Sequence, residues 1–181
     1  MRRLYLPHDS QIVLYTADPT TDLGAAARAQ WMLRFYGATN VRILDGGLLK
    51  WLSEGRQTIA EDVASETPSE TDAQGYRVVK QDKLINDVDK MHHIAYYMAN
   101  KSSDYQIVDT RPEAVFYADG PGEGHVQGAI NMPWQLLVAK NGTMKPNSEL
   151  AKVFLQKNVD TTLPTVHMCQ KGIFTCVADL A

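Results

Sequence analysis

The residues with the most chemistry lie at the end of the sequence, in Val166-His-Met-Cys169-Gln-Lys-Gly-Ile-Phe-Thr-Cys176-Val-Ala-Asp-Leu-Ala181. An apolar run reads as a strand ending at Cys169, a loop with Gly172 in fourth place follows, and an apolar helix is expected from about Phe174. A strand, loop and helix joined in this way aim a row of backbone N–H groups, and the positive end of the helix dipole, at the thiol. An anion is stabilised there, so the pKa of Cys169 is expected to fall and its thiolate to be populated near neutral pH. Lys171 adds a cation near the same point, and Gly172 supplies the positive φ that such a cradle requires. The same pattern also fits an inert cysteine, because free cysteines are among the residues most often buried. For Cys176, one to two turns into the helix, the inert reading is the better one. His167, Cys169 and Cys176 lack the paired spacing of a zinc site and a fourth ligand, so no metal is expected.

The preceding chain must position this loop. Gln11–Tyr15 reads as a first strand, and Thr16 to Asp22 as a loop dense in turn formers. Leu23, Ala27, Trp31 and Phe35 recur at i+4 and draw one apolar stripe down a helix that Gly37 stops. Val41–Leu44 is a second strand, Asp45-Gly46-Gly47 a turn, and Leu48 to Leu52 a short helix closed by Gly55. The β-α-β-α order predicts parallel strands with helices packed on their faces. Further on, Tyr76–Val79 reads as a strand, and Leu84, Val88, Met91, Ala95 and Met98 as one stripe of a long helix lying on a sheet. Tyr105–Asp109 is a strand, Thr110-Arg111-Pro112 a loop, and Ala129–Pro133 a short extended piece. A helix from about Ser148 to Lys157, capped by Asn147 or Ser148, is expected to bury Leu150, Val153 and Phe154. Pro164–Met168 is the buried strand that delivers Cys169.

Composition sets the outer bounds. With 181 residues, 44% hydrophobic and 22% charged, the chain is globular and long enough for one domain plus a piece of another. A net charge of −3 gives no cationic surplus for nucleic acid or an anionic membrane, so a substrate anion must be held by local groups. Apolar runs fall far short of the roughly 20 residues needed to cross a bilayer, and two cysteines are too few for a disulfide framework, which favours a reducing compartment. Between Ala60 and Gly75 the chain carries five acids and no Lys or Arg, which marks residues 57–75 as an acidic linker between units at 1–56 and 76–181.

The stretch from about Tyr105 to Ala181 resembles the catalytic domain of tandem rhodanese-like sulfurtransferases, the thiosulfate and 3-mercaptopyruvate enzymes. The resemblance rests on Ile107-Val-Asp-Thr-Arg111, Gly124-His-Val-Gln-Gly-Ala-Ile-Asn-Met-Pro133, Lys145-Pro-Asn-Ser-Glu-Leu150 and Cys169-Gln-Lys-Gly-Ile-Phe-Thr175, in that order and spacing. Residues 9–55 look like the second half of the family's inactive first domain, with Thr16-Ala-Asp-Pro19 in place of the cysteine loop. The resemblance implies a rhodanese-like α/β fold of parallel sheets flanked by helices, a partial first domain plus most of a second, and no cofactor. It implies that Cys169 takes sulfur from a small donor, thiosulfate or 3-mercaptopyruvate, as a persulfide and passes it to a thiol or cyanide. The loop of Gln170, Lys171, Gly172, Ile173, Phe174 and Thr175 would cradle the persulfide, while Asp109, Arg111 and His125 support the loop rather than touch substrate. The mitochondrion and the cytosol are both common locations in the family, and the resemblance implies the mitochondrion, with the cytosol as the alternative.

Four departures from the family pattern carry weight. Gln170 stands where the thiosulfate enzymes carry Arg, while the retained Lys171 makes the loop more like the thiosulfate type than the mercaptopyruvate type. Val115 to Gly124 holds none of the arginines that grip a substrate carboxylate, and Phe174-Thr175 replaces the usual Thr-Ala, giving a bulkier rim. The fourth is that the chain is expected to be unfinished at both ends, completed either by further residues or by neighbouring proteins. A phosphatase of the same fold needs C-x5-R, and position 175 is Thr. The other reading is a non-catalytic rhodanese-fold subunit of a larger, mitochondrial assembly.

Overall fold

The structure, a computed structural model, describes residues 10–60, 78–99, 104–121 and 123–181. Among the described residues the strands form two parallel sheets. In the first, β1 (Ile12–Leu14) pairs with β2 (Val41–Ile43), with Ile12 opposite Val41. The connection is α1 (Pro19–Phe35), and it starts earlier than the turn-rich composition of residues 16–22 predicts. Asp18 accounts for the difference, since its carboxylate accepts the Thr20 N–H at 2.9 Å. Pro19 behind it has a φ already suited to a helix and no N–H to satisfy. The expected stripe is in place: Leu23, Ala27 and Phe35 are buried and Trp31 packs beside them. Gly37, at φ +101°, ends the helix, and α2 (Gly47–Ser53) follows β2.

Of the strand expected at Tyr76–Val79, the first two residues lie outside the described residues, as does most of the acidic linker. Val78 and Val79 form no strand. The Val79 N–H donates to the Tyr36 carbonyl and the Gln81 N–H to that of Phe35, so this segment spends its donors on the unpaired carbonyls at the end of α1. The long helix expected from Leu84 is also divided. Leu84 closes a single 3-10 turn (Asp82–Leu84), Ile85 is extended, and α3 (Val88–Ala99) begins only after Asp87, whose carboxylate accepts the Lys90 N–H at 2.8 Å. Val88 is therefore 69% exposed, and the face on the sheet is Met91, Ile94, Ala95 and Met98 against Ile107 and Val166.

The second sheet has the order β4-β3-β5, all parallel. Its central strand β3 (Gln106–Asp109) is buried along its whole length, as a strand covered on both faces must be. A short α4 (Glu113–Phe116), which no periodicity announces, follows it. The extended piece narrows to β4 (Ile130–Asn131) and leads into a 3-10 turn (Trp134–Leu137). In α5 (Asn147–Gln156) Leu150 and Val153 are buried and Phe154 is half-buried, as expected. Neither Asn147 nor Ser148 caps it, because the preceding Pro146 takes the extended cap position and its carbonyl receives the N–H groups of Glu149 and Leu150. Then β5 (Thr165–Met168) runs beside β3 and hands the chain to Cys169 and α6 (Thr175–Ala178). The α/β architecture of parallel sheets flanked by helices is the one the sequence predicts. Among the described residues no helix is long and apolar enough to cross a membrane.

Candidate active site

Cys169 leaves the end of β5 at the mouth of a tight loop. Gly172 has φ +66°, and its N–H donates to Cys169 Sγ at 3.1 Å. Burial pushes the Cys169 thiol up, but the backbone N–H groups of Thr175, Lys171, Phe174 and Gly172 act against it and hold the pKa below the ordinary cysteine value. This is the expected cradle, with one difference. Lys171 acts on the sulfur through its backbone N–H, while its side chain is exposed, as is that of Gln170.

Phe174 is more than a bulky rim. Its ring stacks on Trp134, centroids 4.7 Å apart and planes within 3°. It also lies against Gly24 of α1 so closely that a Cβ on that glycine would meet the ring at 2.8 Å and Ile173 at 3.0 Å. The loop is thus wedged between α1 and the 3-10 turn. Thr175 turns its hydroxyl toward Cys176, at 4.0 Å from Sγ. Cys176 is 4% exposed, donates to the Gly172 carbonyl at 3.4 Å, and has its pKa pushed up by burial. The two thiols on either side of Gly172 are therefore shifted in opposite directions.

Asp109, Arg111 and His125, expected to support the loop, are tied to one another or to the backbone around the ends of β3 and α4. Asp109, fully buried at the end of β3, accepts Arg111 Nε at 3.0 and 2.9 Å and Nη2 at 2.7 Å, and Arg111 reaches on to the Gly124 carbonyl at 2.7 Å. The Arg111 pKa is raised chiefly by this carboxylate, with only a minor contribution from Cys169. His125 donates through Nδ1 to the Phe116 carbonyl at 2.9 Å and stacks on the Phe116 ring at 3.7 Å. Two positioning residues escape a reading of the sequence. Thr110, fully buried, donates both its N–H (2.9 Å) and its hydroxyl (3.2 Å) to the Met168 carbonyl, tying the end of β3 to the residue before Cys169. Asn131 donates to the carbonyls of Asp109 and Arg111. Their only sequence signal is that both are polar residues placed in otherwise apolar strand ends.

Behind the loop lies a cavity of about 310 Å³ whose walls include Arg28, Lys83, His167, Cys176 and Asp179, and which Cys169 does not line. Burial lowers the His167 pKa, opposed by the charge of Asp179. The unfolded imidazole, with a pKa near 6.5, therefore binds a proton more readily than the folded one. Stability from this group is complete above that pH and declines as the pH falls through it. Urea unfolding from pH 7.5 to 5 should show a smaller loss of stability in His167→Gln than in the wild type; equal losses would refute it. Among the described residues no cluster of His, Cys, Asp and Glu is placed to hold a metal ion.

No protein-family model matches the chain. It is 33% identical over 186 residues to the thiosulfate sulfurtransferase of Gallus gallus, a match covering 99% of this chain and 59% of that protein. It is 30% identical over 187 residues to the 3-mercaptopyruvate sulfurtransferase of Escherichia coli K12, covering 100% of this chain and 61% of that protein. The crystal structure of the Escherichia coli 3-mercaptopyruvate sulfotransferase SseA, described by its rhodanese fold, superposes with a TM-score of 0.76 at 26% identity, over 97% of this chain and 62% of that one. The chain has the rhodanese fold and is similar in sequence to sulfurtransferases of both kinds. It spans about three fifths of the length of these relatives.

Proposed function

We propose that the chain is part of a sulfurtransferase in which Cys169 carries the sulfur. The observation that carries this reading is the convergence of four backbone N–H groups on the Cys169 sulfur, which favours a thiolate and then the anionic terminal sulfur of a persulfide. The thiolate attacks the outer sulfur of thiosulfate. The donor's S–S bond breaks, and sulfite departs with the bonding pair, leaving Cys169–S–S⁻. An acceptor thiolate or cyanide then attacks the outer sulfur, the persulfide S–S bond breaks, and the Cys169 thiolate is restored, with no external oxidant or reductant.

Lys171, exposed beside the cradle, favours an anionic donor, and the absence of Arg between Val115 and Gly124 removes a grip for a carboxylate. Lys171 suits either donor, since both are anions, and the missing carboxylate grip supports thiosulfate over 3-mercaptopyruvate. In the same reading residues 1–56 and 76–181 are parts of two rhodanese-like units joined by the linker at 57–75, in keeping with the two separate sheets. The test is to incubate the full chain with thiosulfate, remove the excess, and measure intact mass. A gain of one sulfur atom, lost on adding cyanide with release of thiocyanate, is expected; no adduct under conditions that load an authentic thiosulfate sulfurtransferase would sink the proposal.

A further inference from the structure

The middle of the Cys169 loop is held from outside by a side chain that the family comparison does not single out. Arg28, on α1, donates from Nη1 to the Gly172 carbonyl at 3.2 Å. Its guanidinium is braced over the Trp31 ring, 4.8 Å from the centroid, so it reaches the loop from a supported position. Arg28 lies four residues beyond Gly24, one turn along the same face of α1. Gly24 makes room for Phe174 and Ile173, and Arg28 meets the carbonyl just before them.

The position of that carbonyl gives the contact its significance. Of the four N–H groups that favour the Cys169 thiolate, those of Lys171 and Gly172 precede the peptide joining Gly172 to Ile173, and those of Phe174 and Thr175 follow it. Rotation of this one peptide would separate the cradle into two halves. Gly172 has the freedom to allow it, since a glycine at φ +66° is not restrained by a side chain. The Cys176 thiol also donates to this carbonyl, but a thiol is a weak donor, whereas a guanidinium makes a charge-assisted bond. The cation also sits at the negative end of the peptide dipole, against the carbonyl oxygen.

We infer that Arg28 is a positioning residue for sulfur transfer, fixing the Gly172 carbonyl so that the N–H groups on both sides of it stay directed at Cys169. The inference rests on Cys169 being the sulfur carrier, but its test does not depend on turnover. The rate of alkylation by iodoacetamide is followed against pH in the full chain, with Cys169 and Cys176 read separately. Trypsin cleaves after Lys171 and so places the two cysteines in different peptides. Arg28→Met keeps an apolar stem against Trp31 and removes every donor; Arg28→Lys keeps a cation and a single point of donation.

Arg28→Met should move the Cys169 curve to higher pH by about one unit, a roughly tenfold slower alkylation below the midpoint. Arg28→Lys should fall between that variant and the wild type. A methionine curve that superimposes on the wild type overturns the assignment, and so does a lysine curve no better than the methionine one. Unfolding by Arg28→Met, read by circular dichroism, leaves Arg28→Lys to decide: a curve shifted part of the way supports the assignment, and an unshifted one overturns it. Failure of thiosulfate to load the wild type would instead count against the sulfur-transfer reading, leaving the alkylation comparison intact.

Discussion

Cys169→Ser should abolish sulfur loading from thiosulfate and lower thiosulfate-to-cyanide transfer by on the order of 10³-fold or more, while Cys176→Ser keeps loading. The contrast follows from the surroundings of the two thiols. The Cys169 sulfur receives the loop's backbone N–H groups, which overcome the upward push of burial. A serine there has no accessible anion and cannot form a persulfide. Cys176 is a buried donor to the Gly172 carbonyl with a raised pKa, and a serine hydroxyl fulfils that role. The pH dependence has a definite sign. Because the Cys169 pKa is depressed, its thiolate, and with it the loading rate, persists below the range in which an ordinary cysteine is protonated, then falls as the pH drops through the lowered value. Intact mass after thiosulfate treatment of both variants decides the matter: an adduct of equal size on Cys169→Ser would remove Cys169 from the mechanism.

What could be read from the sequence was whatever local spacing fixes. The stripe Leu23, Ala27, Trp31, Phe35 needs only the period of a helix, and the cradle at Cys169 needs only a strand, a glycine and a helix start in close succession. The beginning of α1 is not legible in the sequence because Asp and Pro are turn formers by composition and cap residues by geometry, and the Asp18 to Thr20 bond separates the two. Val79 reads as a strand residue until its N–H is seen to bind the end of α1. The support of the loop was the least visible part. Arg28 lies 144 residues from Gly172 in sequence, and Thr110 lies 58 from Met168. Neither contact has a periodicity, so only the folded chain brings the pairs together.

Arg111→Ala should lower the unfolding free energy by about 3–5 kcal/mol, the range for removing one partner of a buried ion pair. Asp109 is fully buried and its carboxylate accepts two nitrogens of the guanidinium together with the Arg111 N–H. Without the guanidinium this buried carboxylate keeps the Arg111 backbone donor and loses its counter-ion. The loss is large against the 5–15 kcal/mol typical of a folded domain. Arg111→Lys should recover only part of it, since an ammonium cannot span both carboxylate oxygens and the Gly124 carbonyl as the planar guanidinium does. Urea denaturation at neutral pH measures both variants. The result also separates two roles for this arginine. A residue that grips the donor would raise KM and leave stability near the wild-type value. A residue that supports the loop through Asp109 lowers stability, and well below the unfolding midpoint it leaves KM for thiosulfate close to wild type. A stability loss under about 1 kcal/mol would show that the pair behaves as a surface ion pair, contrary to its burial.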